Sequence, residues 1–129
     1  MIYLDSSILL ARLFTEAVSP SERFWSQPFT SSRLLEYDVM SRINLRADAT
    51  RLTESGRAIM DRVQLIELSP VVLARALAPY PVQVKTLDGL HLATMDYLRA
   101  NGQSVRLASY DKRLIAAAHT LGIAIETSL

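Results

Sequence analysis

The N-terminal stretch Met1-Ile2-Tyr3-Leu4-Asp5-Ser6-Ser7 decides the fold of this chain. Its apolar residues predict a buried strand, and Asp5 stands where that strand must end. Ser6 or Ser7 can cap a helix over residues 8–14. Because ligands of a parallel α/β sheet bind outside the carboxyl ends of its strands, Asp5 is either a helix cap or part of an active site.

The composition predicts one globular domain over residues 1–129. Half of the residues are hydrophobic and 21% are charged, which is ordinary for a globular protein with a proper core. The chain has no cysteine, which excludes disulfides and thiolate metal sites and fits a reducing cytosol. Asp5 interrupts the first apolar run too early for a signal peptide, and no stretch approaches the ~20 apolar residues of a membrane span. We therefore expect a soluble, cytoplasmic protein.

Strand and helix patterns alternate along the whole chain. Apolar runs predict strands at residues 2–4, 29–31, 63–68, 105–109 and 123–126, with helical periodicity between them. This alternation implies a mostly parallel sheet with helices on both faces, a three-layer α/β/α domain. The four glycines form neither a dinucleotide-binding fingerprint nor a P-loop. The third strand ends without an aspartate to phosphorylate, which argues against a receiver-type domain.

Four acids recur in matching places along this alternation. Asp5 and Asp111 follow strands, while Glu36 and Asp88 lie in the first turns of helices. Each has an ordinary explanation: a helix cap for the two that follow strands, and a favourable interaction with the helix dipole for the other two. Together they are expected at one sheet edge, where repelling carboxylates require bound cations or shifted pKa values. An all-oxygen ligand set without cysteine points to Mg²⁺ or Mn²⁺ and to metal-assisted phosphodiester hydrolysis.

The remaining polar candidates are assigned to other roles. Glu36 shares a helical stripe with Met40 and Ile43, so it is expected to face inward. Asp38 falls on another face of the same helix and is interpreted as a solvated surface charge. His91 and His119 are the only histidines, and they lack the spacing of a metal-binding pair, so both are interpreted as structural.

With these motifs in place, the chain resembles the PIN-domain ribonucleases, and in size and spacing the VapC toxins of bacterial toxin–antitoxin pairs. The most specific motif is Asp88-Gly89-Leu90-His91-Leu92-Ala93. The other matching segments are Ile2-Tyr3-Leu4-Asp5-Ser6-Ser7, Ser31-Ser32-Arg33-Leu34-Leu35-Glu36, Ser109-Tyr110-Asp111-Lys112-Arg113-Leu114 and Leu121-Gly122-Ile123. They span nearly the whole chain in the right order.

The resemblance implies a set of site residues, an activity and partners. It places the catalytic acids at Asp5, Glu36, Asp88 and Asp111, with Asp5 and Asp88 as metal ligands and with Ser7 and Ser109 supporting them. It implies strand order 3-2-1-4-5, a Mg²⁺-dependent endoribonuclease acting on RNA, a homodimer, and inhibition by a small cognate antitoxin. The apolar early region around Phe14, Phe24 and Trp25 is a further reason to expect a partner. The alternatives are a housekeeping PIN nuclease without an antitoxin and a non-catalytic PIN-like interaction module.

Overall fold

The first strand, β1, spans Ile2–Leu4 and is the centre of a five-stranded sheet in the computed structural model, which describes residues 1–129. The other strands are β2 (Phe29–Ser32), β3 (Val63–Ile66), β4 (Arg106–Ala108) and β5 (Ala124–Ile125). All four pairings are parallel, and the spatial order is β3-β2-β1-β4-β5. The order implied by the family resemblance is therefore confirmed.

Six helices connect and cover these strands. They are α1 (Ser6–Leu13), α2 (Leu34–Ile43), α3 (Ala49–Met60), α4 (Pro70–Leu77), α5 (Thr86–Ala100) and α6 (Lys112–Thr120). None of them combines the length and apolarity that crossing a bilayer requires. The start of α4 follows the sequence closely, because Ser69 caps it from its hydroxyl and Pro70 occupies its first turn.

Alternation along β1 divides the core between the two faces of the sheet. Ile2 and Leu4 belong to a hydrophobic cluster of 16 buried residues on one face, whereas Tyr3 belongs to a second cluster of ten on the other. Leu92 and Met95 of α5 pack in the second cluster with Tyr3. A sheet with apolar residues on both sides requires helices on both sides, which confirms the three-layer architecture.

Two expectations from the sequence are wrong. Phe24 and Trp25 are buried in the larger core cluster and pack edge-to-face, so they are not available to a partner. The third strand ends at Ile66 rather than at residue 68. Its partner β2 pairs Ser32 with Ile66 and then turns into α2, so residues 67 and 68 have no neighbouring strand to bond.

Candidate active site: an acidic pocket at the sheet edge

A cavity of about 750 Å³ opens beyond the carboxyl ends of β1 and β4. Four aspartates line it, three from helix starts and one from a helix interior: Asp5, Asp111, Asp88 and Asp38. The exposed Glu16, on the segment after α1, lines it as well. Three of the four aspartates were expected at this edge. The pocket therefore brings Asp5, Asp88 and Asp111 together as the sequence predicted, but its fourth acid is a different one.

Asp5 is held by two serines through a single oxygen. Its Oδ2 accepts hydrogen bonds from the Ser7 hydroxyl at 2.7 Å and from the Ser109 hydroxyl at 2.8 Å, and more weakly from the Ser7 amide at 3.4 Å. The serine oxygens in turn accept the amides of Tyr110 and Asp111, both at 2.9 Å. The loop after β4 is thus tied to the end of β1, and Asp5 Oδ1 is left without a partner from the protein.

Asp5 is also the N-cap of α1, and Asp111 is the N-cap of α6. Asp111 Oδ1 accepts the amides of Arg113 at 2.9 Å and Leu114 at 3.3 Å. The expectation that Ser6 or Ser7 caps the first helix is wrong, because the carboxylate itself takes that place. A helix cap and an active-site acid are therefore not alternatives here, since each carboxylate has a second oxygen.

Asp88 lies in the first turn of α5, between the other acids. Burial raises the pKa of its carboxyl, and the nearby carboxylates of Asp111 and Asp5 raise this pKa further. His91 and Lys85 offset part of that effect. The pocket therefore carries negative charge that the protein does not neutralise by itself, which is what a cation-binding site requires.

Asp38 reaches the pocket from α2 and is fixed by a buried histidine. His91 Nε2 lies 3.2 Å from Asp38 Oδ2, and the Asp38 side chain is only 14% exposed. On the other side of the imidazole ring, Nδ1 lies 2.6 Å from the hydroxyl oxygen of Tyr3. The interpretation of Asp38 as a solvated surface charge is therefore wrong, whereas a buried, hydrogen-bonded His91 fits the structural role expected for it.

Glu36 does not line the acidic pocket. It lies against a separate cavity with Arg33, Arg57 and Met60, and its carboxylate is 3.9 Å from Arg33. The reason is the rotation of α2: the stripe that Glu36 shares with Met40 and Ile43 packs towards Gly56 of α3. Two positions along a helix turn the side chain by about 200°, so Asp38 points to the opposite side.

A signal for Asp38 was present in the sequence. Ser41 and Arg42 follow it at three and four positions, so the three residues form one polar face of α2, and all three line the pocket. Glu36, in contrast, is the one acid of an otherwise apolar stripe. An apolar stripe indicates packing, so the polar face of α2 is the stronger indication of a functional site.

Basic side chains surround the acids. Arg42 and Lys85 line the pocket, and Lys85 and Arg113 line an adjoining cavity of about 210 Å³ that also contains Asp88. All three basic residues are exposed, and none forms a salt bridge within the chain. A pocket of acidic side chains with unpaired basic side chains around its opening can bind a metal ion next to a polyanion.

The donor chemistry of the pocket fits a hard divalent cation. All five acids of the pocket, Glu16 included, offer carboxylate oxygens, the ligand type of Mg²⁺ and Mn²⁺. No three acidic or histidine side chains are placed so that they can hold one ion together. Mg²⁺ typically takes one or two carboxylates and keeps several of its waters, so a set of three protein ligands is not required for it.

Relatives of the chain are known, although no family model matches it. Ribonuclease VapC46 of Mycobacterium tuberculosis is 33% identical over 127 residues, which cover 96% of this chain and 95% of that protein. Ribonuclease VapC47 of the same species is 26% identical over 95% of this chain and 93% of its own length. A toxin–antitoxin complex from Klebsiella pneumoniae contains a chain with the same fold, with a TM-score of 0.67 at 18% identity, covering 100% of this chain and 98% of that one. The similarity to VapC46 extends over nearly the full length of both proteins, and the chain belongs to the VapC ribonuclease family.

Proposed function

We propose that this protein is a Mg²⁺- or Mn²⁺-dependent endoribonuclease that hydrolyses RNA phosphodiester bonds as the toxin of a type II toxin–antitoxin pair. One observation carries the proposal: four aspartates from distant parts of the chain line one pocket at the carboxyl edge of the sheet. The membership in the VapC ribonuclease family supports it. The proposed ligands are Asp5 and Asp88, and Asp38 takes the catalytic position first assigned to Glu36.

In the proposed mechanism the acids of the pocket bind the metal ion and the basic residues beside it bind RNA. A divalent cation held by Asp5 and Asp88 would supply Lewis-acid stabilisation of the phosphodiester and would make a bound water easier to deprotonate. Ser7 and Ser109 fix one oxygen of Asp5 and leave Oδ1 free for this task. Lys85 and Arg113 are the proposed phosphate-binding residues, since their charges are exposed and unpaired and they line a cavity with Asp88.

Cleavage by purified protein tests this proposal. RNA incubated with the protein and Mg²⁺ or Mn²⁺ should be cut, and EDTA should stop the reaction. Asp5→Ala should lose activity while its circular dichroism spectrum stays that of the parent. Asp61→Ala, which removes an exposed acid outside the pocket, is the matched control and should remain active. Undiminished cleavage by a folded Asp5→Ala variant would contradict the assignment.

We also propose that a small cognate antitoxin silences the protein in the cytoplasm. The pocket suits such control, because an arginine entering it would form charge-assisted bonds to the carboxylates that otherwise bind metal. Co-expression with the small protein encoded beside this one should rescue growth and yield a stable complex. If the neighbour neither binds nor rescues, the housekeeping nuclease becomes the better description.

The partner in the proposed homodimer is a second copy docked on α4. Val71, Leu73 and Leu77 are exposed on this helix, Leu77 to 88%. The only charge on the helix, Arg75, is paired with Asp96 at 2.8 Å, so two copies related by a twofold axis meet without like-charge repulsion. Leu77→Glu should convert a dimer into a monomer in light scattering, whereas Leu45→Glu, at an exposed leucine on the segment after α2, should not.

A further inference from the structure

The imidazole of His91 links the core of the sheet to the acidic pocket. Tyr3 comes from the central strand, His91 from α5 and Asp38 from α2, so three separate elements meet in one hydrogen-bonded chain. Tyr3 and His91 are both almost completely buried, and their rings pack edge-to-face with centroids 5.7 Å apart at 87°. The ring is therefore held on both sides, by packing and by two hydrogen bonds.

The carboxylate at one end of the series Tyr3–His91–Asp38 indicates which atoms donate and which accept along it. The carboxylate of Asp38 can only accept, so His91 Nε2, 3.2 Å from it, carries the imidazole proton, and Nδ1 of the neutral ring is an acceptor. The shortest hydrogen bond of the Tyr3 hydroxyl is to this Nδ1 at 2.6 Å, and polar groups of Ser31, Ser32 and Thr94 also lie near the phenol oxygen. Burial raises the pKa of Tyr3, so the phenol keeps its proton and donates it to that nitrogen. The tautomer with the proton on Nε2 and none on Nδ1 therefore satisfies both neighbours of the ring, the carboxylate of Asp38 and the phenol of Tyr3.

The acids of the pocket share a pattern of support. Asp5 is held through Oδ2 by two serines, Asp111 through Oδ1 by two backbone amides, and Asp38 through Oδ2 by His91. Each of the three thus has one oxygen bound by the protein and one without a partner. No other hydrogen bond reaches the Asp38 carboxylate, so its orientation depends on the histidine alone.

We propose that His91 is a positioning residue for catalysis. Its Nε2–H fixes Asp38 so that the second carboxylate oxygen is presented to the pocket, and Tyr3 prevents the ring from turning away. The catalytic part of this proposal rests on the function proposed above, whereas the proton placement and the orientation of Asp38 do not.

Two substitutions separate positioning from packing. His91→Gln keeps an N–H donor near the place of Nε2, while His91→Leu fills the space without a donor. Partners that orient metal-site ligands typically change metal affinity or activity by about 10- to 100-fold. In His91→Leu the charge of Asp38 is no longer held in the pocket beside the proposed ligands Asp5 and Asp88. We therefore expect this variant to bind Mn²⁺ more weakly, measured by electron paramagnetic resonance of the free ion, and to have a lower kcat on RNA with KM unchanged. His91→Gln should recover most of both losses.

A destabilised control and a spectrum of the metal-free protein complete the test. Met95→Ala removes a fully buried side chain from the same helix without touching the pocket, so it should melt lower yet bind Mn²⁺ as the parent does. In ¹⁵N spectra, with His119→Gln used for assignment, His91 should carry its proton on Nε2 and none on Nδ1. Tyr3→Phe should shift the Nδ1 resonance, and Asp38→Ala the Nε2 resonance.

Several outcomes would overturn the inference. A proton on Nδ1 in the parent would do so, as would a His91→Leu variant with the Mn²⁺ affinity and kcat of the parent. Equal losses in His91→Gln, His91→Leu and Met95→Ala would reduce His91 to a packing role. If the parent cleaves no RNA at all, the proposed function fails, while the nitrogen spectra and the Mn²⁺ comparison still decide the role of His91.

Discussion

Replacing Asp88 by asparagine should stabilise the metal-free protein at neutral pH. Burial raises the pKa of Asp88, and the carboxylates of Asp111 and Asp5 raise it further. Partly exposed charge pairs are worth about 0.2–1 kcal/mol each, so two like-charged neighbours cost on the order of 1 kcal/mol. The dipole of α5 favours the charge by roughly 0.5 kcal/mol, but burial opposes it. We expect a net gain of about 0.5–1 kcal/mol, or roughly 2–4 °C in melting temperature.

The gain should depend on pH in a defined direction. Because the pKa of Asp88 is higher in the folded state than in the unfolded chain, its destabilising effect is fully present above the folded pKa. It fades as the pH falls through that pKa and is absent well below the usual value of 3.8, where the carboxyl is protonated in both states. Urea unfolding followed by circular dichroism in EDTA, at neutral pH and at pH below 3.8, measures both limits.

A matched control separates this effect from a general response to charge removal. Asp61→Asn makes the same chemical change in a cavity that contains Arg33 and Arg57, so it should not stabilise the protein. Adding Mn²⁺ should raise the melting temperature of the parent and change that of Asp88→Asn much less, because a ligand of the folded state stabilises it. An Asp88→Asn protein that is no more stable than the parent in EDTA would refute the idea of repelling carboxylates in this pocket.

Other parts of the structure lead to further measurable effects. Ser109→Ala removes a buried donor to Asp5 and the acceptor of the Asp111 amide, and it should lower the free energy of unfolding by about 2 kcal/mol in urea, whereas Ser104→Ala at an exposed serine should have little effect. Hydrogen bonds from Ser128 and Arg106 hold the pKa of Glu126 at about 2. The stability that this carboxylate contributes is therefore present above its usual pKa of 4.5 and is lost as the pH falls towards 2. Glu126→Gln should flatten that part of the profile of unfolding free energy against pH. Gly122 has a φ of +74°, so Gly122→Ala should cost about 1–2 kcal/mol in thermal melts. Gly89→Ala should instead stabilise α5 by roughly 0.5–1 kcal/mol, because a Cβ there would meet Tyr80 and Val84 at 3.6 Å, an ordinary contact.

The residues that follow strands were the easiest to place from the sequence. Asp5 and Asp111 follow β1 and β4, which are neighbours in the sheet, so parallel pairing alone brings their side chains to the same edge. Asp88 follows from the same logic once α5 is known to begin at that edge. The support of Asp5 by Ser7 and Ser109 was implied by the family resemblance, and the hydrogen bonds to Oδ2 agree with it.

The acid on α2 was misplaced for a physical reason. Helical periodicity tells which residues share a face, but the direction of each face depends on what the helix packs against. The stripe of Glu36 faces α3, a neighbour along the chain, whereas the face of Asp38 meets α5 some 50 residues later. Contacts between helices so far apart in the chain are tertiary, and the local sequence pattern does not predict them. The local sequence also does not predict which ring nitrogen of His91 carries the proton, because this depends on contacts with Tyr3 of the central strand and Asp38 of α2.

The choice between Asp38 and Glu36 is the most direct test of the acidic pocket as the active site. Both substitutions, Asp38→Asn and Glu36→Gln, remove one charge from α2 with almost no change in volume, and only the first alters the pocket. The measurement is the initial rate of RNA cleavage in Mn²⁺ by the two folded variants and the parent. We expect Asp38→Asn to lose at least about 100-fold in rate, on the scale of a displaced catalytic group, and Glu36→Gln to cleave as the parent does. A fast Asp38→Asn protein beside an inactive Glu36→Gln protein would contradict the site described here.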